Sequence, residues 1–420
     1  MSDQIVFGPW VGAVTATSSV IKAGIENGAS VRLLVSENSD LTGAQSMAPS
    51  GISASPEMTV FTFEVDGLDP DREYHYALEV NGEPALDRRG RFRTFPPPDA
   101  PASFTFACAG DAKGGETFRA YSNHEVFDHI RGENPLFFLH LGDLHYANIG
   151  STNVADHVET YREVLNKPRQ AQLYREVPLA YIWDDHDFCG NASDARAAGR
   201  RAARLAYQRC VPHYPLAEGE GDVAIYQAFT VGRVRVLVTD TRSMRANRTA
   251  TDNSAKTMLG ARQKQWLKDE LLAGKDRYPL LVWVNSVPWI GDPNEEDDDT
   301  DAWYSYSTER SELGSFIEEN DIRNVLMLHA DAHMIALDDG SNNRGSTGVG
   351  GFPVFCAAPL DRPNSRKVKG EPFSHGIFDR HKGQYGLITI NDEGGPTVSV
   401  TITGKRESAE LVSLPLDFPR

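Results

Sequence analysis

The sequence predicts an α/β protein preceded by a smaller all-β segment, and three observations carry this. Beyond Ser103, continuous apolar runs alternate with helix-like segments, the pattern of strands buried on both faces with helices between them. Over residues 1–96, apolar positions instead alternate in short runs divided by turn-rich stretches, as in a β-sandwich. Between the two, the PPPDAP stretch beginning at Pro96 reads as a stiff linker, assigned to residues 97–102, with a second unit over 103–420.

In the first segment the runs SVRLLVSE, TVFTFEV and EYHYALEV are strand candidates, and RGRFRTF is the last strand. The stretch VDGLDPDREYHYALEVNGE resembles the corner of a fibronectin type III module. There Leu68 and Pro70 lead into Tyr74 as a tyrosine corner. In the second segment helices are expected around Tyr161 to Glu176, from Asp194 to Cys210, and over ARQKQWLKDELLAG and ERSELGSFIEEND. GQYGLITIND and PTVSVTITGK read as an antiparallel pair. The acidic run from Glu295 to Asp301 reads as a solvated loop, with calcium binding as the alternative.

A formal net charge of −17 argues against a nucleic-acid footprint, which needs clustered Lys and Arg. No apolar run approaches the ~18 residues of a membrane span. The segment MSDQIVFGPW lacks the basic and apolar regions of a secretory signal, so the chain either stays in the cytoplasm or has had a signal removed. Four widely spaced cysteines without a CxxC pair support neither a disulfide framework nor a zinc ribbon, and read as buried free thiols.

The informative feature is what ends the apolar runs. FTFACAGD ends in Asp111 and LFFLHLGD in Asp143. LAYIWDDHD ends in Asp184, Asp185, His186 and Asp187, and VRVLVTD in Asp240. LLVWVN ends in Asn285, and VLMLHADAH in Asp331 and His333. A single Asp after a strand is usually a helix cap or a turn residue. Six such ends deliver polar groups to the edge of an α/β sheet where ligands bind. Converging carboxylates without counter-charge raise one another's pKa, and a pair of cations removes that conflict.

The motifs GDAKGG at Gly110, GDLHYAN at Gly142, WDDHDF at Trp183, TDTRS at Thr239 and ADAHM at Ala330 resemble those of the calcineurin-like metallophosphoesterases, and within them the PhoD-type alkaline phosphatases. The likeness runs from about Phe104 to His333 and implies a four-layer α/β/β/α sandwich. Carried over by position, it implies that Asp111 binds the first metal, Asp143 bridges two, Tyr146 supplies a phenolate and His333 completes the first site. Asp185 and Asp331 fall at the second site, to which Asn191 adds an oxygen, and Asn285 falls near the position of a further ligand. The first motif departs from the family's DxH, reading Asp111-Ala112-Lys113, so Tyr146 has to compensate for a missing histidine.

The resemblance implies iron plus calcium. A phenolate with carboxylates and one imidazole favours Fe(3+), and an oxygen-only second shell suits Ca(2+), Mg(2+) or Mn(2+) better than zinc. The implied activity is hydrolysis of phosphate mono- or diesters by a hydroxide generated in the dinuclear centre, acting on a small-molecule substrate. His186 is the expected proton donor to the leaving oxygen, with Arg242 or Lys113 on a phosphate oxygen. A salt bridge from Arg242 to Asp240 is the competing reading, as is a metal-site or structural role for His186. Two rivals stay open: a catalytically silent metal- or ligand-binding protein on the same scaffold, and a phospholipase-like diesterase with Trp289 and Trp303 lining an apolar entry. Enzymes of this type are often exported, so compartment is left open.

Several weaker signals are set aside. His124-Glu125 is followed by His129 five residues on, so the two histidines do not share a helical face as in a metalloprotease. There is no GxSxG elbow and no P-loop. His140, His329 and Cys108 read as core or supporting positions, and His145 as a core or cleft residue.

Overall fold

Ten strands form one mixed sheet, with Phe104–Ala109 in its interior. The structure, a computed structural model, describes residues 4–114, 120–291, 301–343, 351–362, 366–368 and 372–419. Phe104–Ala109 pairs in parallel with Phe138–His140, which pairs in parallel with Leu179–Tyr181. On the other side it pairs antiparallel with Gln384–Asn391, followed by Thr397–Arg406 and Ala409–Pro419. A second sheet of seven strands has a parallel centre: Val234–Val238, Leu280–Val284, Val325–His329 and Val354–Ala357. These four strands are buried along nearly their whole length, which is why their sequences read as continuous apolar runs.

The two sheets face each other closely. A Cβ at Gly386 would lie 2.3 Å from the Phe355 ring, and one at Gly404 would lie 2.5 Å from Ile335. Glycine at both positions lets the second sheet's side chains reach the first sheet's backbone. Helices Val154–Leu165, Pro168–Glu176 and Arg200–Cys210 lie on the first sheet's side. Ala261–Gly274 and Ser307–Glu319 cover the second, where Leu267, Leu271, Leu313 and Ile317 join Trp283 in a separate core. The result is the α/β/β/α sandwich. The helix read around Tyr161 to Glu176 is two helices, because Pro168 cannot continue the first and instead opens the second at its N-terminal turn. The helix read from Asp194 begins at Arg200.

A third, antiparallel sheet contains Gln45–Met47, Val31–Ser36 and Glu73–Val80, the last also pairing with Gly90–Arg93. It packs on Ile5–Gly12, Ser18–Ile25 and Thr59–Asp66. The Tyr74 hydroxyl accepts a hydrogen bond from the Asp69 amide at 2.9 Å, the contact of a tyrosine corner. Ile5–Gly12 also pairs in parallel with Leu179–Tyr181 through Gly12 and Leu179. A Cβ at Gly12 would meet the carbonyl oxygens of Leu179 and Pro212 at 2.5 Å, so this junction requires glycine. The break read at 97–102 therefore divides a chain whose largest sheet runs through both segments.

Two readings change. Of the acidic run, residues 295–300 lie outside the described residues; Asp301 is not solvated but 2 % exposed, paired with Arg242 and Arg245. Trp289 and Trp303 are buried against each other and Trp283, so they do not line an entry. His140 and His329 are core residues, and all four cysteines are free, three of them buried.

Candidate metal centre

The acids stand on tight loops just past the strands. Asp111, Asp143, Asp331 and His333 all adopt left-handed backbone, with φ of 66°, 54°, 63° and 53°. Non-glycine residues rarely do so, and strain of this kind collects at functional sites. The glycine before two of the acids has a steric reason. A Cβ at Gly142 would lie 2.7 Å from that of Asp184, and one at Gly110 would lie 2.5 Å from that of Ala330. The loops are then stitched together by backbone: Asp111 N–H donates to Gly142 O at 3.2 Å and Ala112 N–H to Asp143 O at 2.9 Å.

This brings the side chains together. Ligand atoms of Asp143, Asp185 and His186 all lie within 4.8 Å of one another, and so do those of Asp143, Asp184 and Asp331. Asp143 belongs to both groups. On another side, the Tyr146 hydroxyl is 3.4 Å from His333 Nε2, which is 4.0 Å from Asp111 Oδ2. Asp111, Asp143, Asp184 and Asp185 are essentially buried, and each keeps one carboxylate oxygen with no hydrogen-bond donor: Oδ2, Oδ2, Oδ2 and Oδ1 respectively. Buried acceptors of this kind are costly unless paired.

The electrostatics agree. Burial pushes the Asp111 carboxyl up to about 7, against the pull of Lys367. Burial and the neighbouring Asp185 and Asp184 push Asp143 well above the carboxylate range. Tyr146 is pushed up by burial and then by Asp143 and Asp111. For Asp185, burial also acts upward, but Arg242, His186 and Lys367 outweigh it and hold the carboxyl below its ordinary value. Four orphan acceptors, two of them on carboxyls with raised pKa values, and a phenol at one side fit cations.

The supporting contacts fix which oxygen faces inward. Arg242, fully buried, donates to Asp184 Oδ1 at 2.6 Å and pairs with Asp301 at 2.7 Å. Ser286 donates to the same Asp184 oxygen at 2.6 Å. The Ala192 amide holds Asp185 Oδ2 at 2.6 Å, leaving Oδ1 free. Asp187 and Asp240 serve structure: Asp187 accepts from the Leu144 and Asp184 amides, and Asp240 from Trp183 Nε1 and the amides of Ile225, Arg242 and Ser243. Arg242 thus meets Asp240 only through its backbone; its guanidinium pairs with Asp184 and Asp301, while Nη2, 4.0 Å from Asp185 Oδ2, has no hydrogen-bond partner.

The remaining expected residues divide. Asn285 is buried at its strand end, but its oxygen accepts from the Val287 amide at 3.1 Å and from Trp303 Nε1 at 3.3 Å, and its Nδ2 is the unpartnered atom. A cation needs the oxygen, so this orientation opposes ligation. Asn191 is exposed, on the turn whose next residue, Ala192, donates its amide to Asp185. Lys113 is half-buried, its pKa lowered by burial and by Arg362. Asp331 Oδ1 receives Lys367 Nζ at 2.5 Å.

The sequence offers Asp184 only as one strand-end acid among several, and does not single out Asn148, Arg362 or Lys367. Asp184 was one of four adjacent candidates with nothing in the spacing to rank them. Asn148, inside GDLHYAN, is placed by the turn, with its Oδ1 2.5 Å from His186 Nδ1. Arg362 and Lys367 follow the strand Val354–Ala357, where the run VFCAAPLD ends in Asp361; Arg362 lies 6.0 Å from the centre of the Tyr146 ring.

The family model described as "PhoD-like phosphatase" matches residues 105–401. The chain belongs to that family. Among curated relatives of this PhoD-like phosphatase, it is 26 % identical over 317 residues to alkaline phosphatase D of Bacillus subtilis (strain 168), covering 64 % of this chain and 52 % of the relative. It is 23 % identical over 379 residues to purple acid phosphatase 15 of Arabidopsis thaliana, covering 77 % and 66 %. The chain therefore spans about half the length of the first and about two thirds of the second. The fold is shared with the solved structure of PhoD at a TM-score of 0.76 and 18 % identity, covering 99 % of this chain and 91 % of that one. It is also shared with purple acid phosphatase PPD1 from yellow lupin (Lupinus luteus) at 0.68 and 12 %, covering 98 % and 74 %.

Proposed function

We propose that this chain hydrolyses phosphate esters, mono- or diesters of small molecules, at a dinuclear metal centre. The observation that carries the reading is the set of four buried, donor-less carboxylate oxygens gathered around Asp143. Asp111, Asp143, Tyr146 and His333 would hold one cation, and Asp143 with Asp184, Asp185 and Asp331 the other. The oxygen-rich second set favours Ca(2+), Mg(2+) or Mn(2+), and the tyrosine and imidazole beside the first favour Fe(3+). When bound, such cations lower the pKa of water and neutralise phosphoryl charge.

The chain's own residues do the rest. Arg242 and Ser286 hold Asp184, and the Ala192 amide holds Asp185, so protein donors fix the orientation of both carboxylates. Asn148 Nδ2 donates to Tyr146 O at 3.3 Å, so its oxygen faces His186, whose Nδ1 must carry a hydrogen. That leaves Nε2 as the position where His186 exchanges a proton with the leaving oxygen. A second reading, His186 as a cation ligand through Nε2, is favoured by its place in the group with Asp143 and Asp185. Burial lowers its pKa against the pull of Asp185, which suits a neutral imidazole.

Turnover of p-nitrophenyl phosphate and bis(p-nitrophenyl) phosphate, measured after adding Ca, Mn or Fe, tests the proposal. Silence with every metal would favour a binding protein on this scaffold instead.

A further inference from the structure

Behind the Asp111 loop lies a cavity of about 610 Å³, bordered among the described residues by Gly114, Tyr121, Asn123, His124, Lys167, Asp361 and Lys382. Its hydrogen-bonding capacity is lopsided. The Asn123 oxygen is engaged by the Arg169 amide at 3.0 Å, which turns its NH₂ group away from that contact. His124 Nδ1 accepts from the Val126 amide at 3.1 Å, so the hydrogen of its neutral ring is on Nε2. The acid on the wall, Asp361, takes the Ser122 hydroxyl on one oxygen at 2.8 Å and lies 3.4 Å from Lys382 Nζ through the other. Lys167 Nζ lies 3.3 Å from Glu163 and 5.4 Å from the centre of the Tyr121 ring, and an ammonium has three hydrogens to give. The Asn123 oxygen and His124 Nδ1 are used by the chain itself, and Asp361 Oδ1 meets Lys382 only as an ion pair. Each lysine thus has one carboxylate partner and further N–H groups to give, in a molecule whose net charge is −17.

Such donors match a tetrahedral oxyanion, which offers mainly acceptors and gains most from charged donors. The position adds to this. The Asp361 amide donates to Asp111 O at 3.0 Å and Gly114 N–H to Asp361 O at 3.3 Å, so the cavity wall is hydrogen-bonded to the loop carrying the metal-centre acid. We infer that this cavity is a second anion site, which binds a phosphate group other than the one being cleaved, through Asn123, His124, Lys167 and Lys382. The group comes either from the substrate or from free inorganic phosphate. The binding itself does not depend on the proposed hydrolysis, although the kinetic arm below does.

The test is calorimetric titration of the full-length, metal-loaded protein with inorganic phosphate. The expected result is two classes of site in wild type, one of them weakened at least tenfold in Lys167→Ala/Lys382→Ala. The Lys167→Arg/Lys382→Arg protein should retain both, which separates lost charge from lost fold. Identical titrations of wild type and the alanine variant would overturn the inference, as would a single class in wild type that disappears on chelation. Absence of turnover sinks the proposed reaction and leaves this measurement standing. With turnover present, a rise in KM for a bisphosphorylated ester but not for p-nitrophenyl phosphate assigns the group to substrate. Equal KM values in variant and wild type for both esters, with the calorimetric loss retained, assign it to free phosphate.

Discussion

The Asn148 side-chain oxygen lies 2.5 Å from Nδ1 of His186, and this contact decides which nitrogen of the ring faces the acids. With Nδ1 holding its hydrogen toward Asn148, Nε2 lies 3.8 Å from Asp185 Oδ1. The His186 ring also packs on Tyr146, with centres 4.0 Å apart and planes tilted by 32°, so its orientation is held from two sides.

His186→Ala should lower kcat by about 10²- to 10⁴-fold, the usual range for a lost general acid or base. The loss should be larger for an alkyl phosphate than for p-nitrophenyl phosphate, whose leaving group needs little protonation. Elemental analysis of the same variant distinguishes the roles: unchanged metal content supports proton transfer, and loss of one metal equivalent makes His186 a ligand.

Asp143→Asn should abolish turnover and reduce metal content while the fold persists, which circular dichroism and elemental analysis would check. In chelated protein the same change should stabilise. The Asp143 carboxyl is pushed up by burial and by Asp185 and Asp184, so above the ordinary carboxylate pKa the unfolded chain releases a proton that the folded chain retains. Stability then falls as pH rises from about 4, and Asn removes that penalty. Denaturation at pH 3 and pH 7 would show the variant's advantage only at the higher pH.

Arg242→Met should destabilise the protein by about 3–5 kcal/mol, because Asp184 and Asp301 would be left buried without their partner. Urea denaturation would measure it. A variant as stable as wild type would show that the Arg242 pairs contribute nothing net.

Chelation should lower the melting temperature, and adding back metal should restore it. Cations present at a thousand times their Kd stabilise a folded site by about 4 kcal/mol. Tyr146→Phe should then remove any visible absorption band of an iron-loaded sample, since that band requires the phenolate.

Much of this was legible along the chain. The helix Ala261–Gly274, the antiparallel pair of Gln384–Asn391 with Thr397–Arg406, and the acids at strand ends follow from periodicity and from GD motifs. Other features were not. Asp184 and Asp185 are neighbours with the same chemistry. Which oxygen of each is left bare is set by Arg242 and Ser286 in one case and by the Ala192 amide in the other. Lys367 reaches Asp331 across thirty-six positions, a contact that nothing local in either segment marks.

By itself the sequence determined that apolar strands end in acids, because burial on both faces of a strand and a polar residue beyond it are local properties of the chain. Tertiary structure alone decided which way those polar groups turn. Asn285 faces its oxygen toward Trp303, Asp301 turns inward to two arginines, and Ile5–Gly12 extends the larger segment's sheet. The reason is physical: a side chain's direction is chosen by donors and charges that only folding brings within hydrogen-bonding distance of it.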